Sequence, residues 1–278
     1  MDRAKYYVSR PSSDLVKVLG LLEKKPVIAI EAEGLAKDEL MERIDAFAMS
    51  AVLLADKVVQ SGEQEVPQVE ATTDNELREA LALHGRSLYE RGYAHGSSGN
   101  LSVRLPDGLL ITPTNSCLGR LDPARIAKVD AAGKHVSGDT PSKEAFLHLA
   151  MYQERPAAEG IVHLHCTHCV AVSCLADFTG LPPITAYYVM RIRSLGLVPY
   201  YRPGDRALAE AVRKKAKKHH AVLLANHGPV VAGKSLEDAV YNAEELEETA
   251  KLFLLLEGRR ARFLETEQIA DLEKHFPS

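Results

Sequence analysis

Apolar residues fall into two patterns along this chain, and their alternation divides it. Short apolar runs open at Leu109, Ile161 and Ala221 and read as buried strands, each bounded by glycine, asparagine or proline on at least one side. Between them, apolar positions recur at spacings of three and four. Asp74 is expected to cap one such helix, with Glu76 in its first turn and Leu77, Leu81, Leu83 and Leu88 carrying it to Gly92. Ser142-Lys143-Glu144 leads into a second over 145–152. Ser235 caps a last long helix from Leu236 to about residue 257, with Val240, Leu246, Ala250 and Phe253 facing inward. Residues 181–190 and 198–205, rich in tyrosine, read as strand ends and loops. Helices and short strands alternate without an internal repeat, which predicts a single α/β domain over 73–278.

Residues 1–72 read as a separate, mainly helical extension. A short helix is expected over 13–24 and a short strand over 26–30. From Lys37 a long amphipathic helix follows, with Leu40, Ile44, Phe47, Ala51, Val52, Ala55 and Val59 on one face. That stripe must pack on the main domain or on a neighbouring subunit. Residues 61–70 form a polar linker. No chemistry is legible in this segment.

Composition narrows the class. The 278 residues suffice for a substantial core, and a net charge of -4 gives no general pull toward nucleic acid or an anionic membrane. The basic run at 213–220 reads as the solvated face of a helix. No apolar run approaches the roughly 20 residues that span a bilayer, and the N-terminus lacks the apolar core of a secretory signal, so the cytoplasm is the expected location. Four cysteines in a chain of this length do not make a disulfide framework. Cys166 and Cys169 have CxxC spacing, but a second CxxC and a thioredoxin-like context are both missing, so buried reduced thiols are expected.

Candidate chemistry centres on Gly160-Ile161-Val162-His163-Leu164-His165. On a strand of period two, His163 and His165 share a face, close enough for both imidazoles to reach one ion. That pair alone fits a chance pair of strand histidines equally well. His227 alters the balance, because it ends a separate apolar run just before Gly228, and three imidazoles with an open fourth position commonly hold a catalytic zinc. The small residues of His95-Gly96-Ser97-Ser98-Gly99-Asn100 suit close backbone approach to a phosphate, though they also suit a tight turn before a strand. Thr112-Pro113-Thr114-Asn115 gathers further hydroxyl and amide groups at a strand end. Ser142 reads as a helix cap, yet a helix N-terminus is also a ready anion site, with Glu144 as a carboxylate held close to it.

In this order, Ser98-Gly99-Asn100, Thr112-Pro113-Thr114, Pro141-Ser142-Lys143-Glu144, His163-Leu164-His165 and Asn226-His227-Gly228 resemble the class II aldolase/adducin family over about residues 75–265. The resemblance implies an α/β/α sandwich around a mostly antiparallel sheet, assembled as a homotetramer with active sites between subunits. It implies zinc, one per subunit, on His163, His165 and His227, with Glu144 as acid/base and as a fourth ligand when substrate is absent. It matches Gly99, Asn100, Thr114, Asn115 and Ser142 to phosphate-binding positions. Lys143 stands where many relatives have a second serine, and adds a cation either to that phosphate grip or to a substrate carboxylate. Longer stretches, among them 112–122 and 200–205, resemble the branch that decarboxylates a phosphorylated four-carbon 3-oxo sugar acid. A sugar-phosphate aldolase and a pentulose-phosphate 4-epimerase are the alternatives, and a non-catalytic adducin-like module is a third. The epimerases typically carry an acidic residue near 186–188, which this chain lacks, and adducin-like modules lose the histidines that it keeps.

Overall fold

The computed structural model describes residues 6–9, 16–22, 25–31 and 73–276, in a chain that divides into two compact units, 1–71 and 72–278. In the first unit, β1 (Tyr6–Ser9) pairs parallel with β3 (Lys25–Glu31), and β2 (Val16–Leu22) pairs antiparallel with β3. The helix expected over 13–24 is therefore a strand where it is described. Val16 and Val18 are β-branched and alternate with Lys17, and a partner strand immediately downstream favours that extended pattern over a weak helical spacing. The strand expected at 26–30 is β3. The amphipathic stripe from Leu40 to Val59 lies outside the described residues.

The second unit opens with α1 (Asp74–Glu90). Its cap is Thr73 rather than Asp74. The Thr73 hydroxyl accepts from the Glu76 amide, and the Glu76 carboxylate accepts from the Thr73 amide, a reciprocal capping box. Leu81 and Leu88 are buried, but Leu83 is 66% exposed and belongs to the outer face. Then come β4 (Asn100–Leu105), β5 (Gly108–Ile111), β6 (Ala127–Asp130), β7 (His135–Ser137), α2 (Ala145–Glu154), β8 (Gly160–His163) and α3 (Thr167–Ser173). The chain continues through α4 (Ala186–Arg191), β9 (Leu195–Val198), α5 (Arg206–Ala216), β10 (Ala221–Leu224), β11 (Gly228–Gly233), α6 (Leu236–Leu255) and α7 (Thr266–His275).

The eight strands β4–β11 form one sheet in the order β7-β6-β5-β4-β8-β11-β10-β9, antiparallel except for the β9–β10 pair. Alternation along the strands makes two cores. Leu101, Val103, Val162, Leu223 and Val231 face α1, α3, α4 and α6, whereas Ile161, Val222, Leu224, Val230 and Ala232 face α2 and α5. The result is a three-layer α/β/α sandwich. Ser235 caps α6 as expected, with Val240, Leu246 and Ala250 buried, but α6 is not the last helix, since α7 follows it. Within the stretch 181–190, expected as strand ends and loops, the chain forms the six-residue α4, capped by Thr185. The basic run lies at the solvated end of α5.

Candidate active site

β8 is the pivot of the site. It lies between β4 and β11, so Asn100 and Val230 both stand opposite His163 in register. His163 closes the strand, and the chain runs on extended through Leu164 to His165. The pair thus shares a face across the strand end rather than within the strand. On the other side, β10 and β11 are joined by a tight hairpin that carries Asn226, His227 and Gly228. Gly228 has a φ of 152°, and a Cβ there would meet the Leu164 carbonyl at 2.2 Å. Only glycine lets the hairpin approach β8 closely enough for His227 to reach the same space. Gly99, with a φ of 79° and the His163 carbonyl 3.0 Å from where a Cβ would stand, plays the corresponding part on the β4 side.

Glu144 completes the group from the start of α2. Its Oε2 lies 3.3 Å from His163 Nε2, and its Oε1 lies 3.2 Å from His227 Nε2. His163 Nε2 and His165 Nε2 are 3.1 Å apart. The three imidazoles meet edge to face, with ring centroids 4.8–4.9 Å apart. One ligand atom from each of Glu144, His163, His165 and His227 falls within 4.8 Å of the others.

The protonation pattern suits a cation. His163 Nδ1 lies 2.8 Å from the Pro229 carbonyl, which can only accept, so Nδ1 carries a proton and Nε2 is the nitrogen turned toward the group; burial disfavours a charged ring, but the adjacent Glu144 carboxylate outweighs it and raises the imidazole. Burial pushes the His165 imidazole down to about 3, reinforced by His163 and His227, which keeps it neutral. Burial alone would raise the Glu144 carboxyl. The opposing pull of His163, His227 and the Asn100 amide holds it well below the usual carboxylate range, and therefore ionised. Glu144 Oε1 is buried without a hydrogen-bond donor. A buried carboxylate oxygen left in that state beside three imidazoles fits a divalent metal ion as the missing partner.

The group lies in a cleft of about 790 Å³ lined by every residue singled out for phosphate binding: Gly99, Asn100, Thr114, Asn115, Ser142 and Lys143. An antiparallel bridge between Pro113 and Pro141 joins two of these segments. Hydrogen bonds from the Thr114 amide to the Thr140 carbonyl and from the Ser142 amide to the Thr112 carbonyl flank it. The strand end thus lies against the segment that opens α2. Asn100 is differently employed. Its Nδ2 donates to Glu144 Oε2 at 2.9 Å, and its Oδ1 accepts from His148, so both ends of the amide are already engaged. Among the described residues that line the cleft, Glu144 is the only carboxylate.

The cleft also includes His95, Thr167, Tyr200 and Tyr201, none of which stood out individually in the sequence. The loop composition around 200–205 was the available signal. Cys166 and Cys169 are buried free thiols, Cys174 is exposed and Cys117 is half-buried. The carboxylate of Glu247 on α6 accepts from the His168 and Cys169 amides at 2.9 and 2.7 Å and so satisfies the start of α3. That gives this buried acid a structural occupation beside the CxxC pair.

The chain belongs to the class II aldolase and adducin family, whose N-terminal domain model matches residues 79–254. It is 51% identical over 206 residues to the 3-oxo-tetronate 4-phosphate decarboxylase of Escherichia coli K12, a match covering 73% of this chain and 97% of that enzyme. The crystal structure of YgbL from Klebsiella pneumoniae superposes with a TM-score of 0.70 at 47% identity, covering 73% of this chain and 100% of the other. The L-fuculose phosphate aldolase of E. coli K12 is 40% identical over 166 residues, 59% of this chain and 75% of that enzyme.

Proposed function

We propose that residues 73–278 are the catalytic domain of a zinc-dependent decarboxylase that converts 3-oxo-tetronate 4-phosphate to dihydroxyacetone phosphate and carbon dioxide. The observation that carries this reading is the meeting of Glu144 with three imidazoles in a cleft whose wall is a helix N-terminus. Relatives of about 50% identity that bear this activity support it.

His163, His165 and His227 would hold the ion, with Glu144 as fourth donor when substrate is absent. Bound there, zinc supplies a Lewis acid for the 3-oxo group. The chain's own residues do the rest. The backbone at Gly99 and Asn100, the polar groups of Thr114, Asn115 and Ser142, and the Lys143 ammonium grip the phosphate at the start of α2. Loss of carbon dioxide breaks the C1–C2 bond and leaves its electron pair conjugated with the C3 carbonyl as an enediolate. Glu144, ionised in the free site, takes a proton from solvent water in the cleft and passes it to C2. Lys143 belongs on the phosphate, because strong stabilisation of the departing carboxylate would deepen the ground state and oppose the reaction. Assembly as a homotetramer with sites between subunits is part of the same reading. It is supported by the exposed Tyr200 on the cleft wall, and light scattering on the eluting protein tests it.

A coupled assay for dihydroxyacetone phosphate, run with both stereoisomers of the substrate and with carbon dioxide captured, tests the activity. An aldolase reading is favoured by the fuculose-phosphate relative, since the same enediolate arises when a bond to an aldehyde breaks. Release of an aldehyde from a sugar phosphate, with no turnover of the 3-oxo acid, would establish that alternative.

A further inference from the structure

Behind the cleft lies a buried polar seam that the reaction as written does not use. β4 turns Leu101, Val103 and Leu105 to one core, which leaves Asn100, Ser102 and Arg104 facing α2. α2 answers with His148 and Tyr152, four residues apart and continuing the row from Glu144. Two residues of strand advance about 6.6 Å and four residues of helix about 6 Å, so the two rows stay in step.

The contacts follow: Asn100 Oδ1 to His148 Nε2 at 2.6 Å, His148 Nδ1 to Ser102 Oγ at 2.7 Å, and Ser102 Oγ to the Tyr152 hydroxyl at 3.0 Å. Arg104 closes the far end by donating to the Tyr152 and Arg155 carbonyls. Ser102 and His148 are fully buried, and neither lines the cleft.

Every donor in this chain is determined. A carboxylate accepts only, so Asn100 must present its NH₂ to Glu144 and its oxygen to His148. His148 Nε2 must then carry the proton. The ring is neutral, its burial the main cause, so Nδ1 is bare and accepts from Ser102. Ser102 has only one proton, so Tyr152 must donate to it.

We propose that His148 is a positioning residue for Glu144, acting through Asn100: its tautomer fixes which way the amide points, and the amide holds Glu144 Oε2 so that Oε1 is aimed at the reacting centre. The opposite tautomer would present a bare Nε2, turn the Asn100 oxygen toward the carboxylate, and replace attraction by repulsion. This rests on the reading of Glu144 as the proton carrier, and the experiments separate the two. Loss of turnover in Glu144→Gln tests that reading alone.

Three variants of the full chain test the seam. His148→Leu removes the donor to Asn100 and is expected to lower kcat at least about tenfold, with KM and metal content close to wild type. His148→Gln keeps an N–H for Asn100 and is expected to recover kcat to within about threefold. Unchanged kcat in His148→Leu, or an equal loss in both variants, overturns the proposal, as does loss of metal together with kcat. Should the leucine variant fail to fold, Ser102→Ala decides. It frees His148 Nδ1 with the loss of one hydroxyl, and unchanged kcat there overturns the proposal too. An activity-independent reading comes from nitrogen NMR of histidine-labelled protein, with the signal assigned by its loss in His148→Gln. A protonated Nε2 and bare Nδ1 are expected, and the reverse tautomer refutes the seam.

Discussion

Replacing Gly228 by alanine is the sharpest test of how the site is built. A Cβ at this position would stand 2.2 Å from the Leu164 carbonyl, far inside contact distance, and the backbone φ of 152° is strained for any side chain. The β10–β11 hairpin must therefore draw back from the end of β8. Two hydrogen bonds to the Pro229 carbonyl are at stake, from His163 Nδ1 at 2.8 Å and from the Leu164 amide at 3.3 Å. Strain of about 1–3 kcal/mol and about 1 kcal/mol for each bond put the cost at about 3–5 kcal/mol. For a unit of this size that corresponds to a fall in Tm of about 10 °C. The metal should suffer further, since the lost carbonyl is what holds Nδ1 and orients the His163 ring, and such outer contacts are worth about 10–100-fold in affinity. Gly92→Ala is the control: its φ is 81°, but nothing lies within 4 Å of the added methyl, so strain alone should cost about 1 kcal/mol. Thermal melts and metal analysis on both variants decide. If Gly228→Ala melts with Gly92→Ala and retains full metal, the account of the hairpin is wrong.

The remaining predictions concern single roles. His227→Ala should strip metal and turnover together, and elemental analysis showing full occupancy with normal activity would remove His227 from the ligand set. Glu144→Gln should bind substrate with little change in KM but lose about 10²–10⁴-fold in kcat, measured by the coupled assay. Lys143→Ser should raise KM and leave kcat largely intact, and an unchanged KM would detach Lys143 from the phosphate. Burial would raise the Glu247 carboxyl, but the His168 and Cys169 amides outweigh it, so its folded pKa lies below the ordinary 4.5. A lowered pKa contributes stability above the unfolded value that is lost as pH falls through the folded one. Glu247→Gln should therefore narrow the difference in denaturant midpoint between pH 7 and pH 3, and an equal acid loss in both proteins would contradict this.

What was legible in the sequence was whatever announces itself locally. His163 and His165 stand at the end of an apolar run, and His227 sits between another run and a glycine, so strand-end signals alone suggested that they converge. Glu144 was marked by its helix start. His148 carried no such signal, since its meaning comes from Ser102 and Asn100, more than 40 residues away on β4. The polar positions at 100, 102 and 104 would ordinarily indicate a solvated strand face; only the placement of α2 over them makes them interior. α4 was missed because six residues are too short to establish a helical period, and β2 was misread because its strand character depends on pairing with β3. The Thr73 cap shows the usual slippage of one residue at a boundary, with the reciprocal Glu76 contact as the clue that decides it.

The position of β8 in the middle of the sheet has a consequence for how the chain reaches its working state. His163 and His165 lie close in sequence and can meet an ion in any extended stretch, but His227 joins them only once β11 has docked along β8, a closure across more than 60 residues. Such long-range pairing is the slow part of folding for sheet proteins. The complete set of donors therefore comes together late, after the central strands have found their register. Metal in the refolding buffer should barely accelerate renaturation yet should strongly retard unfolding, because it grips a structure that it had no part in nucleating.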